Sequence, residues 1–210
     1  MKKLFISFIL LFSLFVFSQE YHFDYKLSYK SASKERENTF TQLVNSKNPN
    51  IYVFFFTNQN DVYARLLDYD KNIGHTFLVK ENNGDSEFIY NESNKLSTNN
   101  CVVKNVITEK LFNEEYDYKI SFDYKYKFSS KKNIAFKIKL KEFENNLILN
   151  YPMDFGIQNK KEIFSKLLYF EKGNYIIDKS IYDSPFLKNT SVIERLDLVI
   201  ILPKKLNYIN

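Results

Sequence analysis

Two stretches of the chain alternate strictly between apolar and polar residues. In residues 21–29 every odd position is apolar or aromatic and every even position is polar. In residues 116–128 the aromatic and aliphatic side chains occupy the even positions instead. A period of two residues is typical of a β-strand with one buried face and one solvent-exposed face. Each stretch is therefore predicted to be a strand.

The second alternating stretch continues beyond a short polar turn. Residues 129–133 read Ser-Ser-Lys-Lys-Asn, and a further run follows in which lysines alternate with Ile134, Phe136, Ile138 and Leu140. Two alternating runs on either side of a short polar segment predict an antiparallel hairpin.

Shorter strand patterns fill residues 31–91, separated by turn signals. The predicted strands are 39–44, 51–56, 62–69, 75–80 and 87–90. Turn signals at intervals of roughly 8–12 residues favour an antiparallel sheet over parallel β-α-β units. Because the run 51–56 is apolar throughout, both of its faces are expected to be covered.

One helix is predicted after residue 159. Asn159 and Glu162 resemble a capping box, apolar residues follow at mostly helical spacing, and Gly173 can end the helix in the left-handed conformation. The apolar stripe of this helix could cover the second face of the 51–56 strand. Residues 103–114 fit either a strand or a helix, and residues 192–202 favour a final strand.

The fold class that these patterns predict is mainly β, a β-rich α+β protein. We expect an antiparallel curved sheet or half-barrel with one or two helices, and the alternative is a two-sheet β-sandwich.

Residues 1–18 differ in character from the rest of the chain. Lys2 and Lys3 precede an apolar run interrupted only by two serines, and polarity returns at Ser18. This is the pattern of a secretory signal peptide, although an uncleaved N-terminal anchor is the alternative. We therefore expect a signal peptide over 1–18 and a single domain over 19–210, exported to the periplasm or the exterior.

Cysteine usage and linker content refine this expectation. The only cysteine, Cys101, lies far beyond the apolar run, so lipid anchoring at a mature N-terminal cysteine is not expected. No transmembrane segment is expected after signal removal. No Pro/Gly/Ser-rich linker divides the remaining chain, which favours one domain.

Composition excludes several classes of protein. With 44% hydrophobic and 26% charged residues, the chain is too apolar for a disordered polymer. A single cysteine excludes a disulfide scaffold. The formal net charge is only +5, and the arginines that nucleic-acid recognition favours are limited to Arg36, Arg65 and Arg195. No nucleic-acid partner is expected.

The search for catalytic or metal-binding residues gives weak candidates. Cys101 and His75 are a conceivable thiol–imidazole pair, but a lone cysteine beside two valines is more often a buried hydrophobe. Asp61, Asp68 and Asp70 could hold a cation, yet the 68–72 segment lacks the glycine and closing glutamate of a calcium-binding loop and fits a turn better.

Two adjacent glutamates are the last candidates for a catalytic role. Glu114 and Glu115 would point apart on a strand, so they are a poor acid–base pair. Because the chain carries no phosphate-binding loop, nucleophile elbow or zinc-binding helix motif, no catalytic residue, metal ligand or cofactor is assigned.

Aromatic residues are the remaining lead, since the chain contains 16 tyrosines and 21 phenylalanines. They could line an apolar cavity or a curved groove, or they could be core residues and cross-strand pairs. The candidate apolar ligand face is the strand residues Tyr116, Tyr118, Phe122, Tyr124 and Tyr126.

The function expected from these features is non-catalytic. We expect an exported cell-envelope binding or interaction module, whose partner is a lipid or other apolar ligand, or another envelope protein. The alternatives are a structural or adhesive β-sandwich and a hydrolase with dispersed carboxylates.

Part of the chain resembles known secreted proteins. The signal peptide, residues 23–31 (Phe-Asp-Tyr-Lys-Leu-Ser-Tyr-Lys-Ser) and the 44–48 turn (Val-Asn-Ser-Lys-Asn) are similar to secreted proteins of flavobacteria-type (Bacteroidota) bacteria that have no assigned activity. The chain also resembles the GLPGLI family of exported β-rich proteins, although it lacks the hexapeptide that names that family. The resemblance implies a location in the cell envelope.

Overall fold

A computed structural model describes residues 19–32, 37–82, 85–96, 101–112, 114–126, 130–153, 156–184 and 189–208. The predicted signal peptide, residues 1–18, lies outside the described residues. The strands are β1 (Gln19–Ala32), β2 (Glu37–Val44), β3 (Ile51–Asn58), β4 (Asp61–Asp68), β5 (Ile73–Asn82), β6 (Asp85–Lys95), β7 (Cys101–Lys110), β8 (Tyr118–Tyr126), β9 (Lys132–Glu142), β10 (Tyr175–Ser184) and β11 (Asn189–Tyr208). A 3-10 turn (Ile148–Asn150) and helix α1 (Gly156–Phe170) lie between β9 and β10.

The eleven strands that the structure describes belong to one antiparallel sheet, which confirms the predicted mainly β fold class. Their order is β6-β5-β4-β3-β2-β1-β11-β10-β9-β8-β7. Strand β1 pairs with both β2 and β11, so two meanders meet at the β1–β11 pair. The two edge strands, β6 and β7, are not paired with each other, and the sheet is open.

The strands that alternation predicted most clearly are confirmed. Strand β1 buries Tyr21, Phe23, Tyr25, Leu27 and Tyr29, which are its odd-numbered aromatic and aliphatic residues. Strands β8 and β9 form the predicted hairpin, in a register that places Tyr118 opposite Ile138.

Three strands go beyond the sequence prediction. The ambiguous 103–114 segment is strand β7 up to Lys110, and β10 was not predicted. Strand β11 continues through Pro203, which lies in an irregularity where Lys204 faces Phe23 and Ile200 faces Tyr25. Proline is tolerated there because bulged residues do not need the ladder N–H that proline lacks.

Contacts of helix α1 show that the sheet is curved. The side-chain amide of Asn159 donates to the Cys101 carbonyl on β7, at 3.4 Å. The next residue, Lys160, has its Nζ 5.2 Å from the centre of the Tyr52 ring on β3. Strands β7 and β3 are seven positions apart in the strand order, roughly 34 Å in a flat sheet. Adjacent helix residues reach both only because the sheet curls around α1; the face that holds α1 is the concave face.

The main core lies on the concave face, beneath α1. Helix residues Ile163, Phe164 and Leu167 are fully buried there. They pack with buried side chains of β1, β8 and β9, and the Phe164 and Phe136 rings meet edge to face with centroids 6.2 Å apart. This packing fixes α1 against the β7–β9 half of the sheet.

A second, smaller core lies on the opposite face of β2 to β5, which we call the outer face. Leu43, Val53 and Leu66 are cross-strand partners in successive pairs, and they are buried together with Phe77. The first part of β1 contributes Tyr21 and Phe23 to the same cluster. The register shift after Phe23 therefore marks where β1 passes from the second core to the main core.

Helix α1 differs from its prediction at both ends. It begins at Gly156, three residues before the expected cap, and Asn159 bonds to the Cys101 carbonyl instead. It ends at Phe170, where the Glu171 N–H still donates to the Leu167 carbonyl. Gly173 does not adopt the left-handed conformation, so the expected glycine cap is wrong.

Within the described part of the chain, no helix combines the length and the apolar character needed to cross a bilayer.

Candidate ligand-binding face

The five predicted ligand-face residues lie at the β8 end of the sheet, and most of them are buried. Tyr116, Tyr118, Phe122 and Tyr124 are at most 9% exposed, whereas Tyr126 is 48% exposed. The structure therefore brings Tyr118, Phe122 and Tyr124 together in the main core. Because Tyr118 and Phe122 are at most 2% exposed, a ligand could contact them only if the core opened, and the ligand role of the five residues stays a prediction.

Hydrogen bonds hold this group of tyrosines in place. The Tyr118 hydroxyl donates to Glu171, just beyond the end of α1, and Lys110 Nζ lies 3.3 Å from the same carboxylate. The bond from Tyr118 lowers the pKa of Glu171, and burial raises the pKa of Tyr118. The Tyr124 hydroxyl is 2.9 Å from the Cys101 sulfur. These contacts tie α1 and β7 to β8.

Partly exposed apolar side chains of the concave face lie instead on β3 to β5. Phe56, Tyr63 and Leu78 are successive cross-strand partners, and Phe54 lies two residues before Phe56. All four are partly exposed. We call Phe54, Phe56, Tyr63 and Leu78 the aromatic face. The Phe56 ring stacks on Tyr63 with centroids 5.6 Å apart and lies 5.9 Å from Phe54.

The aromatic face lies beside the contact of α1 with β3, and its four side chains are partly exposed. Lys160 lies over Tyr52, and Phe54 and Phe56 extend away from that contact along β3. On the outer face of β3, Val53 is fully buried in the second core. The sequence predicts that both faces of the 51–56 strand are covered. In the structure only Val53, on the outer face, is fully buried, and the other five residues are partly exposed.

Arg65 is a charged residue next to this apolar surface. It lies on β4 between Tyr63 and Leu67, and it is the cross-strand partner of Phe54. Its Nη2 donates to Asn94 Oδ1 at 3.2 Å. Its Nε is buried and has no hydrogen-bond partner. A buried arginine donor without a partner, beside partly exposed rings, is unusual in a folded protein.

A separate cleft of about 310 Å³ opens between β7 and β8. Most of its lining residues are charged or polar, but the surface they present to the cleft is mainly apolar; they are Val102, Lys104, Asn105, Asp123, Tyr124, Lys125 and Lys131. Asp123 is held by Lys131 at 2.7 Å and by the side-chain amide of Asn105. The cleft therefore combines mainly apolar walls with an ion pair, and it lies apart from the aromatic face.

The remaining sequence candidates have structural contacts. Cys101 is buried on β7 and His75 is buried on β5. Asp68 accepts the Lys71 N–H in the predicted turn, and Asp70 accepts side-chain amides of Asn48 and Asn50. No group of three or more His, Cys, Asp or Glu suited to a metal ion occurs among the described residues.

The two adjacent glutamates do not act as a pair. Glu114 lies 2.6 Å from Lys137 and Glu115 lies 2.7 Å from Lys179. Hydrogen bonding to Lys179 lowers the pKa of Glu115, which favours its ionised form.

Sequence reasoning missed the aromatic face, although one signal for it was present. The run 51–56 was recognised as apolar on both sides, but which side lacked a cover depends on where α1 lies. The role of Arg65 had no sequence signal, because its neighbours on the face, apart from Tyr63, come from other strands.

Neither a protein-family model nor a curated protein matches the chain.

Proposed function

We propose that the protein is an exported, non-catalytic binding module of the bacterial cell envelope that holds a hydrophobic ligand on its aromatic face. The observation that carries this proposal is the row Phe56–Tyr63–Leu78, which stays partly exposed on the concave side of the sheet. Ligand sites are typically concave and mainly apolar, with few polar groups.

Export is supported by the signal-peptide pattern of residues 1–18 and by the resemblance to flavobacteria-type secreted proteins. An apolar ligand suits this setting, because the envelope supplies lipids and other amphiphiles. The ligand-face tyrosines under α1 extend the same concave surface and would enlarge the site if the helix moved.

The hydrolase alternative has less support from the electrostatics. A general acid needs a raised carboxyl pKa, which burial away from cations provides. Here partners lower the pKa of four described carboxylates, through bonds from asparagine, lysine or tyrosine: Asp70, Glu115, Asp123 and Glu171. These contacts are typical of structural ion pairs and turns.

The proposal is tested by binding of the neutral apolar fluorophore N-phenyl-1-naphthylamine to the purified mature chain. We expect saturable binding, and we expect Phe56→Ser to weaken it about tenfold, since burying much of a phenylalanine side chain is worth roughly 1.5 kcal/mol.

The matched control is Ile107→Ser on β7. Ile107 is 52% exposed and lies opposite Ser121, on the outer face. This variant should bind the fluorophore as the wild type does. No saturable binding by the wild type, or equal losses in the two variants, would refute the aromatic face as the site.

A further inference from the structure

The charge on the aromatic face is unbalanced. Arg65 makes no ion pair with any described residue. Across the sheet, Arg65 pairs with Thr76 on β5, and Thr76 pairs with Glu92 on β6. Glu92 is the nearest acidic residue in this row of cross-strand partners, and no salt bridge joins it to Arg65. The guanidinium therefore presents an uncompensated positive charge beside Phe54.

Its hydrogen bonding is incomplete as well. The contact with Asn94 uses Nη2 and fixes one arm of the guanidinium. Nε is shielded from water and has no acceptor. A buried donor without a partner is costly, and a movement of the Arg65 side chain that exposes Nε would allow an oxyanion to satisfy it. Two N–H groups of one guanidinium fit the two oxygens of a carboxylate.

The apolar side chains next to Arg65 form a continuous row across the sheet. Phe56, Tyr63, Leu78 and Ile89 are cross-strand partners in turn, so the row crosses four strands, roughly 14 Å. Ile89, on edge strand β6, is the last residue of the row and is 36% exposed. A single extended alkyl chain could lie along this row while its end group reaches Arg65.

We propose that the ligand is a fatty acid, with its carboxylate on Arg65 and its chain along Phe56, Tyr63, Leu78 and Ile89. This inference rests on the proposed function, since it assigns the ligand class of the same face. The positive charge favours an anionic end group over a neutral one, and a cationic one is disfavoured by repulsion.

The test compares three probes of equal chain length by isothermal titration calorimetry with the mature chain, below micelle-forming concentrations. The probes are laurate, dodecanol and dodecyltrimethylammonium. We expect laurate to bind at least about tenfold more tightly than dodecanol, because hydrogen bonds to a charged group contribute about 1.5–3 kcal/mol. The cation should bind least.

Variants assign the preference to Arg65. Arg65→Gln should reduce laurate binding to the level of dodecanol, and Arg65→Lys should keep most of the preference because it keeps the charge. The control Lys80→Gln removes an exposed cation on neighbouring strand β5 and should leave the preference unchanged.

The outcomes separate the inference from the proposed function. Equal binding of laurate and dodecanol, or a preference that survives Arg65→Gln, overturns the fatty-acid assignment while the apolar site stands. Absence of binding by all three probes overturns both.

Discussion

At the residue scale, His75 shows how a single buried group makes stability depend on pH. Its side chain is buried on β5, and its Nδ1 is hydrogen-bonded to Ser93 Oγ. Its ring lies 6.2 Å from Tyr21, whose hydroxyl donates to buried Asp68. Burial lowers the pKa of His75 below its ordinary 6.5, Asp68 opposes this shift, and Lys71 adds to it.

The sign of the effect follows from proton binding. Because the folded pKa is lowered, the unfolded chain binds a proton at His75 more readily than the folded chain does. The associated stability is fully present above the unfolded pKa near 6.5 and is lost as the pH falls toward the folded pKa.

We therefore predict that the free energy of unfolding decreases between about pH 7.5 and about pH 5.5, a range above most carboxyl titrations. In His75→Gln this decrease should be smaller, although the variant is less stable overall. Urea denaturation at the two pH values measures both quantities.

The matched control is His22→Gln, since the His22 side chain is 51% exposed on β1. That variant should keep the wild-type pH dependence. Equal pH dependence in wild type and His75→Gln would contradict the assignment to His75.

At the element scale, α1 is held by its apolar stripe. Phe164 is fully buried against Phe136, whereas Phe170, on the same helix, is 54% exposed. Replacing either phenylalanine by alanine changes the intrinsic helix propensity by the same amount. Only the replacement at Phe164 also removes buried packing, so the difference between the two variants measures the packing.

We predict that Phe164→Ala lowers the free energy of unfolding by about 3–5 kcal/mol, because it leaves a cavity between helix and sheet. Phe170→Ala should change it by no more than about 0.5 kcal/mol. Urea denaturation at neutral pH measures the difference. Similar costs in the two variants would mean that α1 does not pack on the sheet as described.

At the scale of the whole molecule, the sheet is organised around one long-range pair. Strand β1 connects two meanders by pairing with β2 on one side and β11 on the other. Curvature then brings β3 and β7 to the same helix, through Lys160 and Asn159. The aromatic face is the part of β3 to β5 that this arrangement leaves partly uncovered.

Local pattern predicted the strands but not their partners. Alternation located β1 and the β8–β9 hairpin, because it reports which side of each strand is buried. It contains no information on pairing across the length of the chain, so the β1–β11 contact was not predictable. The sequence also did not show that β1 passes from one core to the other after Phe23. Every buried residue of β1 has an odd number, so the alternation continues unchanged through that point.

The candidate site was less predictable than the fold. Tyr118 and Tyr124 of β8 are buried in the core, whereas the aromatic face is built from the continuous run 51–56 and from Tyr63 and Leu78. A continuous apolar run predicts burial on both sides, and the position of α1 decides where that burial is incomplete. Helix placement depends on tertiary packing, which sequence periodicity does not report.

The central claim, an exported chain carrying a hydrophobic ligand, is tested most directly by native mass spectrometry. The protein is expressed with its own residues 1–18 and purified from the periplasm of a bacterial host. We predict a polypeptide that begins at Gln19 and carries a non-covalent apolar adduct, and the Phe56→Ser chain should lose that adduct. Recovery of bare polypeptide only, or of a chain that retains Met1 to Ser18, would contradict the account.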